Sequence, residues 1–263
     1  MYENGPRLVE RVVGVLAHEP SGLFTDIDGT ISPIVERSDD ARVDERARAA
    51  LDGLARRLAL VAVVTGRNST DARRMVGLDG VVYVGNHGLE IEGEVVPNAR
   101  AWVRTLETVM HAVEAELTLA GVRFEPKGVS ASIHYREAAD PEAARSAILA
   151  SLVRHAHSQG FKIEEGRLVF NILPPLEVNK GTAVASLTHE HGLRGAVYIG
   201  DDITDTHAFR ALKGLSGPTL SIGVVTDETS ASVRDLADAR LPDVNAVADL
   251  LCGVLERLRA GVR

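Results

Sequence analysis

Asp26 and Asp28 stand two residues apart where a short apolar run beginning at Leu23 breaks into Gly29 and Thr30. A strand that ends this way holds its last carboxylate at the lip of a sheet. The turn that follows brings the second carboxylate from the loop over the same place. One can then attack an electrophile while the other moves a proton, and together they can seat a divalent cation. The competing reading is a polar turn, because Asp and Gly are common turn formers.

Three further groups of residues carry possible chemistry. Thr65-Gly66-Arg67 follows the strongest strand pattern in the chain. A hydroxyl and exposed backbone N–H groups at a strand-to-helix turn suit a phosphate oxygen, although such turns also serve simply to reverse the chain. Lys180-Gly181 precedes a helical pattern, where a lysine could neutralise a carboxylate and a phosphate together or stand as a solvated charge. Gly200-Asp201-Asp202-Ile203-Thr204-Asp205 crowds three carboxylates at a strand end, which is costly unless something positive lies among them. Magnesium, which takes hard oxygen ligands, fits such a cluster; an acidic helix N-terminus is the alternative.

The elements that must position these groups alternate at first. Leu23 to Asp26 is a short apolar run, Val43 to Leu58 repeats apolar residues at helical spacing, and Leu60 to Thr65 is continuous and β-branched. Asn68 to Val76 reads as a short helix closed by Gly77, and Val81 to Val84 as another strand. This order implies a parallel sheet with right-handed crossovers. The middle differs: a long helix from Asn98 to Ala120, strands Val122–Pro126 and Val129–Arg136 around a Lys127-Gly128 turn, a helix from Pro141 to His157, and strands Phe161–Glu164 and Leu168–Leu173. After Pro174-Pro175 the first pattern resumes, with a helix from Thr182 to His191, a strand Ala196–Gly200, a helix Thr204–Leu212, a strand Thr219–Val224 and a terminal helix Val244–Arg259. The expected fold is α/β: a doubly wound, Rossmann-like parallel-sheet core at 1–97 and 175–263, with an α-β-β-α-β-β cap domain inserted at 98–174. In such a core ligands bind beyond the carboxyl ends of the strands, and all four groups fall on that rim. The prolines near the two connections, Pro97 and Pro174-Pro175, are expected to confine bending to hinges beside them.

Taken in order, Asp26-x-Asp28-Gly29-Thr30, Thr65, Lys180 and Gly200-Asp201-Asp202-x-x-Asp205 match the four motifs of the haloacid dehalogenase-like phosphatases. The chain resembles that family over nearly its whole length, and the insertion is similar to the cap of its sugar-phosphatase branch. More narrowly, residues 28–34, Gly85-Asn86-His87-Gly88, Glu125-x-Lys127-Gly128 with His134-Tyr135-Arg136, and 200–205 with Ala208-Phe209 resemble trehalose-6-phosphate phosphatases. The resemblance implies a Mg²⁺-dependent hydrolysis in two steps. Asp26 would be the nucleophile and form an aspartyl-phosphate, and Asp28 would be the proton carrier. Thr65 and Lys180 would bind the transferring phosphoryl group. The metal would be held by Asp26, Asp28 through its backbone carbonyl, and Asp201, supported by Asp202 and Asp205. Gly66, Arg67, Asn86, His87, Gly88, Glu125, Lys127, Arg136 and Asn171 would meet the substrate. From the residues alone, Glu125 and Lys127 suit either sugar hydroxyls or a solvated turn, and Asn86-His87-Gly88 either contacts sugar or braces a hinge. The family usually has an acidic residue where Asn171 stands and often a basic one where Leu173 stands, so a related glycosyl phosphate (glucosylglycerol phosphate, a glucosyl or mannosyl phosphoglycerate, sucrose 6-phosphate) is an alternative substrate. Less favoured readings of the same motifs are a phosphosugar mutase and a non-catalytic sugar-phosphate sensor.

Composition narrows the partners. The 263 residues are 45% hydrophobic and 25% charged, ordinary for a globular chain, with a net charge of −8 that disfavours nucleic acid and anionic membranes. No apolar run approaches the roughly 20 residues a membrane span needs. Cys252, in an apolar helical pattern, is expected to be a small core residue, and a lone cysteine excludes an internal disulfide. The expectation is a cytoplasmic monomer acting on a phosphorylated disaccharide. No glycosyltransferase domain is recognisable, so a separate sugar-phosphate synthase is expected to make that substrate.

Overall fold

The computed structural model describes residues 5–35, 37–227 and 229–261. The chain divides into two compact units, one of Met1–Gly93 and Val178–Arg263, the other of Glu94–Glu177.

The first unit opens with α1 (Gly5–Leu16), β1 (Ser21–Thr25), α2 (Glu45–Ala55), β2 (Leu60–Val64), α3 (Ser69–Val76), β3 (Val82–Gly85) and the two-residue β4 (Glu90–Ile91). In the second unit β5 (Glu94–Val95) is followed by α4 (Val103–Glu116), β6 (Arg123–Pro126), β7 (Ala131–His134), α5 (Pro141–His155), β8 (Lys162–Gly166) and β9 (Val169–Leu173). The first unit then resumes with α6 (Lys180–Glu190), β10 (Gly195–Gly200), α7 (Asp205–Lys213), β11 (Thr219–Val224), α8 (Ala231–Leu236), β12 (Ala239–Leu241) and α9 (Val244–Ala260). Among the described residues no helix is long and apolar enough to cross a membrane.

In the first unit the strands lie in the order β12-β11-β10-β1-β2-β3-β4. All pairs are parallel except β3 with β4. Successive side chains of a strand point to opposite faces, so a strand buried on both faces is apolar throughout. Val61 and Val63 of β2 join Val197 and Ile199 of β10 in a core beneath α1, α2, α3 and α9. Ala62 and Val64 join Phe24, Ala196 and Tyr198 in a second core beneath α6, α7 and α8. The strand order reverses between β1 and β10: the chain runs outward from β1 through β2 and β3, then returns at β10 and runs the other way. Thr25 is paired with Ile199, so Asp26 and Asp201 leave the sheet side by side at that reversal, where open α/β sheets bind their ligands.

The second unit is an antiparallel sheet in the order β6-β7-β9-β8. Ala131, Ile133, Phe170 and Ile172 pack with Leu106, Val109 and Val113 of α4 and Ile148 and Leu152 of α5. The alternate positions Glu125, Ser132, Asn171 and Glu164 form one polar row across all four strands.

Several boundaries differ from the sequence expectation. The helix expected over 98–120 begins as a 3-10 turn at Ala99–Trp102, after Asn98 in the left-handed region (φ 69°), and α4 ends at Glu116. The β8–β9 turn lies at Arg167-Leu168, with Leu168 at φ 58°, and Glu165 lies inside β8. α6 starts at Lys180, earlier than Thr182. Cys252 is half-buried against the first core.

Candidate active site

Asp26 continues β1: its N–H donates to the Ile199 carbonyl at 2.9 Å. Its buried carboxylate is asymmetric. Oδ2 meets the Lys180 ammonium at 2.9 Å. Oδ1 is buried with no hydrogen-bond partner among the described residues. Burial pushes the Asp26 carboxyl up to about 7, offset in part by Lys180 and reinforced by Asp205 and Asp28.

Lys180 reaches the site because α6 begins on it. The Asn179 side chain accepts from the N–H groups of Gly181 and Thr182, and Thr182 answers through its hydroxyl, a reciprocal cap that fixes the first helical turn. The ammonium donates to Asp205 Oδ1 at 2.7 Å as well as approaching Asp26. Burial disfavours that charge, but Asp205 and Asp26 outweigh it and hold the ammonium protonated far above its ordinary range.

Asp201 lies opposite, at the end of β10. Its carboxylate rests over Gly29, where an added Cβ would come within 2.0 Å of an oxygen, and Gly29 itself turns at φ 82°. Only glycine meets both conditions there. Burial, then Asp26, Asp202 and Asp205, push the Asp201 carboxyl well above its usual range. Ligand oxygens of Asp26, Asp201 and Asp205 lie within 4.8 Å of one another. Ionised together, the three carboxylates would leave two negative charges beyond the one ammonium, and the unpartnered Asp26 Oδ1 lies among them. An all-oxygen site with that charge fits a divalent cation such as Mg²⁺.

Asp28 is held differently. Arg67 forks onto it, Nε to Oδ2 and Nη2 to Oδ1, both at 2.7 Å, while Nη2 also donates to the Ser38 carbonyl at 3.0 Å. The family resemblance puts Arg67 on substrate; here its guanidinium is engaged with the expected proton carrier. Thr65 is buried beside them, and its hydroxyl oxygen accepts from the Arg67 N–H at 3.2 Å.

The 86–88 segment braces this rim. The Asn86 N–H donates to the Arg67 carbonyl at 2.7 Å, and its side-chain amide donates to Glu90 at 2.7 Å. The other Glu90 oxygen takes the N–H and hydroxyl of Ser69 at the start of α3. The ring of His87 covers Gly66, where an added Cβ would lie 2.6 Å from it. Gly88, at φ 106°, abuts the Asn179 carbonyl that precedes Lys180. These contacts tie the second and third motifs together through the backbone.

In the other unit, Glu125 receives His134 Nε2 at 2.6 Å, with Lys127 at 3.8 Å. Burial opposes its ionisation, but the His134 hydrogen bond and the Lys127 charge hold its carboxyl down at about 2. Asn171 Oδ1 accepts from Ser132 at 2.8 Å, and Arg136 donates to the Arg167 carbonyl at 3.1 Å. Glu125, Lys127 and Asn171 thus belong to one polar neighbourhood of that sheet, whereas Arg136 closes the end of a hairpin.

Sequence reasoning missed Glu90 and Ser38 as members of these networks, noted His134 only within a motif and not as the partner of Glu125, and missed Tyr198, whose hydroxyl donates to Asp205 Oδ1 at 2.6 Å. Tyr198 sits in an apolar strand and reads as core. Ser38 meets Arg67 across 29 residues, and Glu90 joins nearby Asn86 to Ser69, 21 residues back, links that no local spacing reveals.

Comparison with known proteins gives the lineage. A family model described as Trehalose-phosphatase matches residues 24–244. A trehalose-phosphate phosphatase of Mycobacterium avium is 36% identical over 223 residues, covering 80% of this chain and 55% of that protein. A probable trehalose-phosphate phosphatase of Arabidopsis thaliana is 31% identical over 230 residues, covering 80% and 62%. A Mycobacterium tuberculosis protein named as an uncharacterized glycosyl hydrolase is 34% identical over 204 residues, 73% of this chain but 15% of its own length. The chain therefore spans less than two thirds of each of these relatives. The C-terminal domain of a C. albicans trehalose-6-phosphate phosphatase shares the fold, with a TM-score of 0.79 at 21% identity over 97% of both chains. An Aspergillus fumigatus trehalose-6-phosphate phosphatase also shares it, with a TM-score of 0.62 at 24% identity over 95% and 97%. Matched by the family model from β1 to the start of α9, and built on the fold those structures share, the chain belongs to the trehalose-phosphatase family.

Proposed function

We propose that this protein is a Mg²⁺-dependent phosphatase that hydrolyses trehalose 6-phosphate to trehalose and phosphate through an aspartyl-phosphate. One observation carries the reading: Asp26 is buried, pinned through one oxygen by Lys180, and offers the other without a partner beside Asp201.

Each residue then has a task. A carboxylate oxygen of Asp26 attacks phosphorus while the bond from phosphorus to the sugar oxygen breaks. Asp28 gives its proton to that leaving oxygen, then takes one from the water that cleaves the acyl phosphate, so the residue returns to its starting state. Lys180 and Thr65 bind the oxygens of the transferring group, where charge placed in advance lowers the barrier. Asp26, the Asp28 carbonyl and Asp201 would hold Mg²⁺, with Asp202 and Asp205 in support, Asp205 by holding the Asp201 N–H. The cation would neutralise phosphoryl charge and keep Asp26 ionised.

Recognition of the sugar is assigned to the Glu94–Glu177 unit as a cap, through Glu125, Lys127 and Asn171. The reading includes a phosphorylated disaccharide made by a separate synthase, and action as a cytoplasmic monomer without nucleic-acid or membrane partners. Asn171 is neutral and already paired with Ser132, which favours a second reading in which a related glycosyl phosphate is the substrate. Phosphate release should be measured over trehalose 6-phosphate, sucrose 6-phosphate and glucosylglycerol phosphate, with and without Mg²⁺, for the wild type and Asp26→Asn. Trehalose 6-phosphate should give the highest kcat/KM. Asp26→Asn should lose at least about a thousandfold in kcat. Near-normal turnover by that variant would overturn the mechanism.

A further inference from the structure

Asp205 is the one member of the carboxylate cluster with no acceptor capacity to spare. An ionised carboxylate offers about four lone-pair sites, and all four are used. Oδ1 accepts from Lys180 Nζ at 2.7 Å and from the Tyr198 hydroxyl at 2.6 Å. Oδ2 accepts from the N–H groups of Asp201 and Asp202, both at 3.0 Å. Asp205 is completely buried. It therefore acts on its neighbours, fixing the loop that carries Asp201 on one side and the ammonium of Lys180 on the other.

Of the four donors, only Tyr198 has no evident task of its own. Its ring is fully buried in β10 and packs edge-on against Phe209 of α7, with centroids 5.8 Å apart. Packing alone would be served by phenylalanine; the hydroxyl is a polar group in the core that needs a partner, and it finds Asp205.

We infer that Tyr198 is a positioning residue for phosphoryl transfer: its hydroxyl locks the Asp205 carboxylate, which aims the Lys180 ammonium at Asp26 and the transferring group. Two of the three ammonium protons point to Asp205 and Asp26, leaving one for a phosphoryl oxygen. Without the hydroxyl, Oδ1 is held by Lys180 alone, and carboxylate and ammonium can shift together. A small displacement weakens binding of the transition state more than binding of the ground state, because the ammonium is set for the geometry in which charge develops. The inference rests on the phosphatase reading above.

Tyr198→Phe tests it against Phe209→Leu, which disturbs the same packing and leaves the hydrogen bonds. The readouts are kcat and KM for trehalose 6-phosphate, melting temperature, and calorimetric affinity for orthovanadate in excess Mg²⁺; the last does not depend on the active fraction or on turnover. Tyr198→Phe should weaken vanadate about tenfold and lower kcat comparably, with KM within about twofold. Phe209→Leu should lower the melting temperature at unchanged vanadate affinity. Unchanged vanadate affinity in Tyr198→Phe, or equal weakening in both variants, overturns the inference. If the wild type binds vanadate but releases no phosphate from any sugar phosphate, the functional reading fails while the vanadate comparison still decides the role of Tyr198. A wild type that neither binds vanadate nor turns over overturns both.

Discussion

Lys180 is a buried cation between two buried anions, and its removal shows what the arrangement costs. Replacing one partner of a buried ion pair leaves the others desolvated and uncompensated, typically about 3–5 kcal/mol. Lys180→Met should destabilise the metal-free protein on that order, by urea unfolding, and abolish turnover. Part of the stability should return with Mg²⁺, because a divalent cation relieves the repulsion between Asp26 and Asp201 that remains. Arg67 makes a separate case. Its fork on Asp28 uses two nitrogens in one plane, a geometry lysine lacks although it keeps the charge. Arg67→Lys should lower kcat about tenfold on a sugar phosphate, whose leaving oxygen needs a proton. On an aryl phosphate, whose leaving group departs as the anion, the loss of the phosphorylation step measured in single turnovers should be much smaller. Equal losses on both substrates would mean that Arg67 does not act through Asp28.

The start of α6 decides where Lys180 points, and that start is only partly legible in the sequence. Lys180-Gly181 marks the place, but the helical pattern becomes readable only from Thr182. The cap belongs to Asn179, which satisfies the N–H groups of Gly181 and Thr182 at 2.9 and 3.1 Å. Asn179→Ala should cost about 1 kcal/mol and lower kcat by more than such a loss explains in a still-folded enzyme, read by comparing melting temperature with turnover. The strands are easiest to find where burial on both faces forces an unbroken apolar run, as in β2 and β10. β4, α8 and β12 escape because two, six and three residues carry no period to detect. The single helix expected over 98–120 fails because apolar spacing continues through Trp102 while the backbone does not. The same limit applies to the site. Asp26, Asp28 and Asp201 are visible because chemistry needs carboxylates at or just past strand ends, and Lys180 because it stands with Gly181 at a helix start. Glu90 reaches Ser69 across 21 residues and Ser38 accepts from Arg67 across 29, separations that local spacing does not reveal, whereas Tyr198 stands only seven residues from Asp205 and is hidden because its strand reads as core.

The two units differ in what their buried acids do, so they should respond to acid with opposite signs. Asp26 has its folded pKa raised to about 7, above its unfolded value near 3.9. Between those values Asp26 is more fully protonated in the folded state, so it adds stability around β1 and β10 in the metal-free protein as pH falls from about 7 to about 4. Glu125 in the second unit has its pKa lowered to about 2. Here the unfolded state binds more protons, and stability present above about 4.5 is lost as pH falls toward 2. Its side chain is 24% exposed, so the loss is discounted for solvent to about 2 kcal/mol. The apolar cluster of that unit draws only on its own residues, from Trp102 to Ile172, which gives it the means to open by itself. Protection factors from hydrogen exchange, followed by peptide between pH 7 and pH 3 in chelator, should therefore diverge. Peptides of β1 and β10 should gain protection on acidification to about pH 4, and peptides of β6, β7 and β9 should lose it first below about pH 4.5. Excess Mg²⁺ should flatten the response of β1 and β10, because a bound cation takes over the charge that the proton otherwise neutralises, and should leave β6, β7 and β9 unchanged. A single pH response shared by both sets, or a Mg²⁺ effect on the second set, would contradict the assignment of the metal to Asp26 and Asp201 and the independence of the two cores.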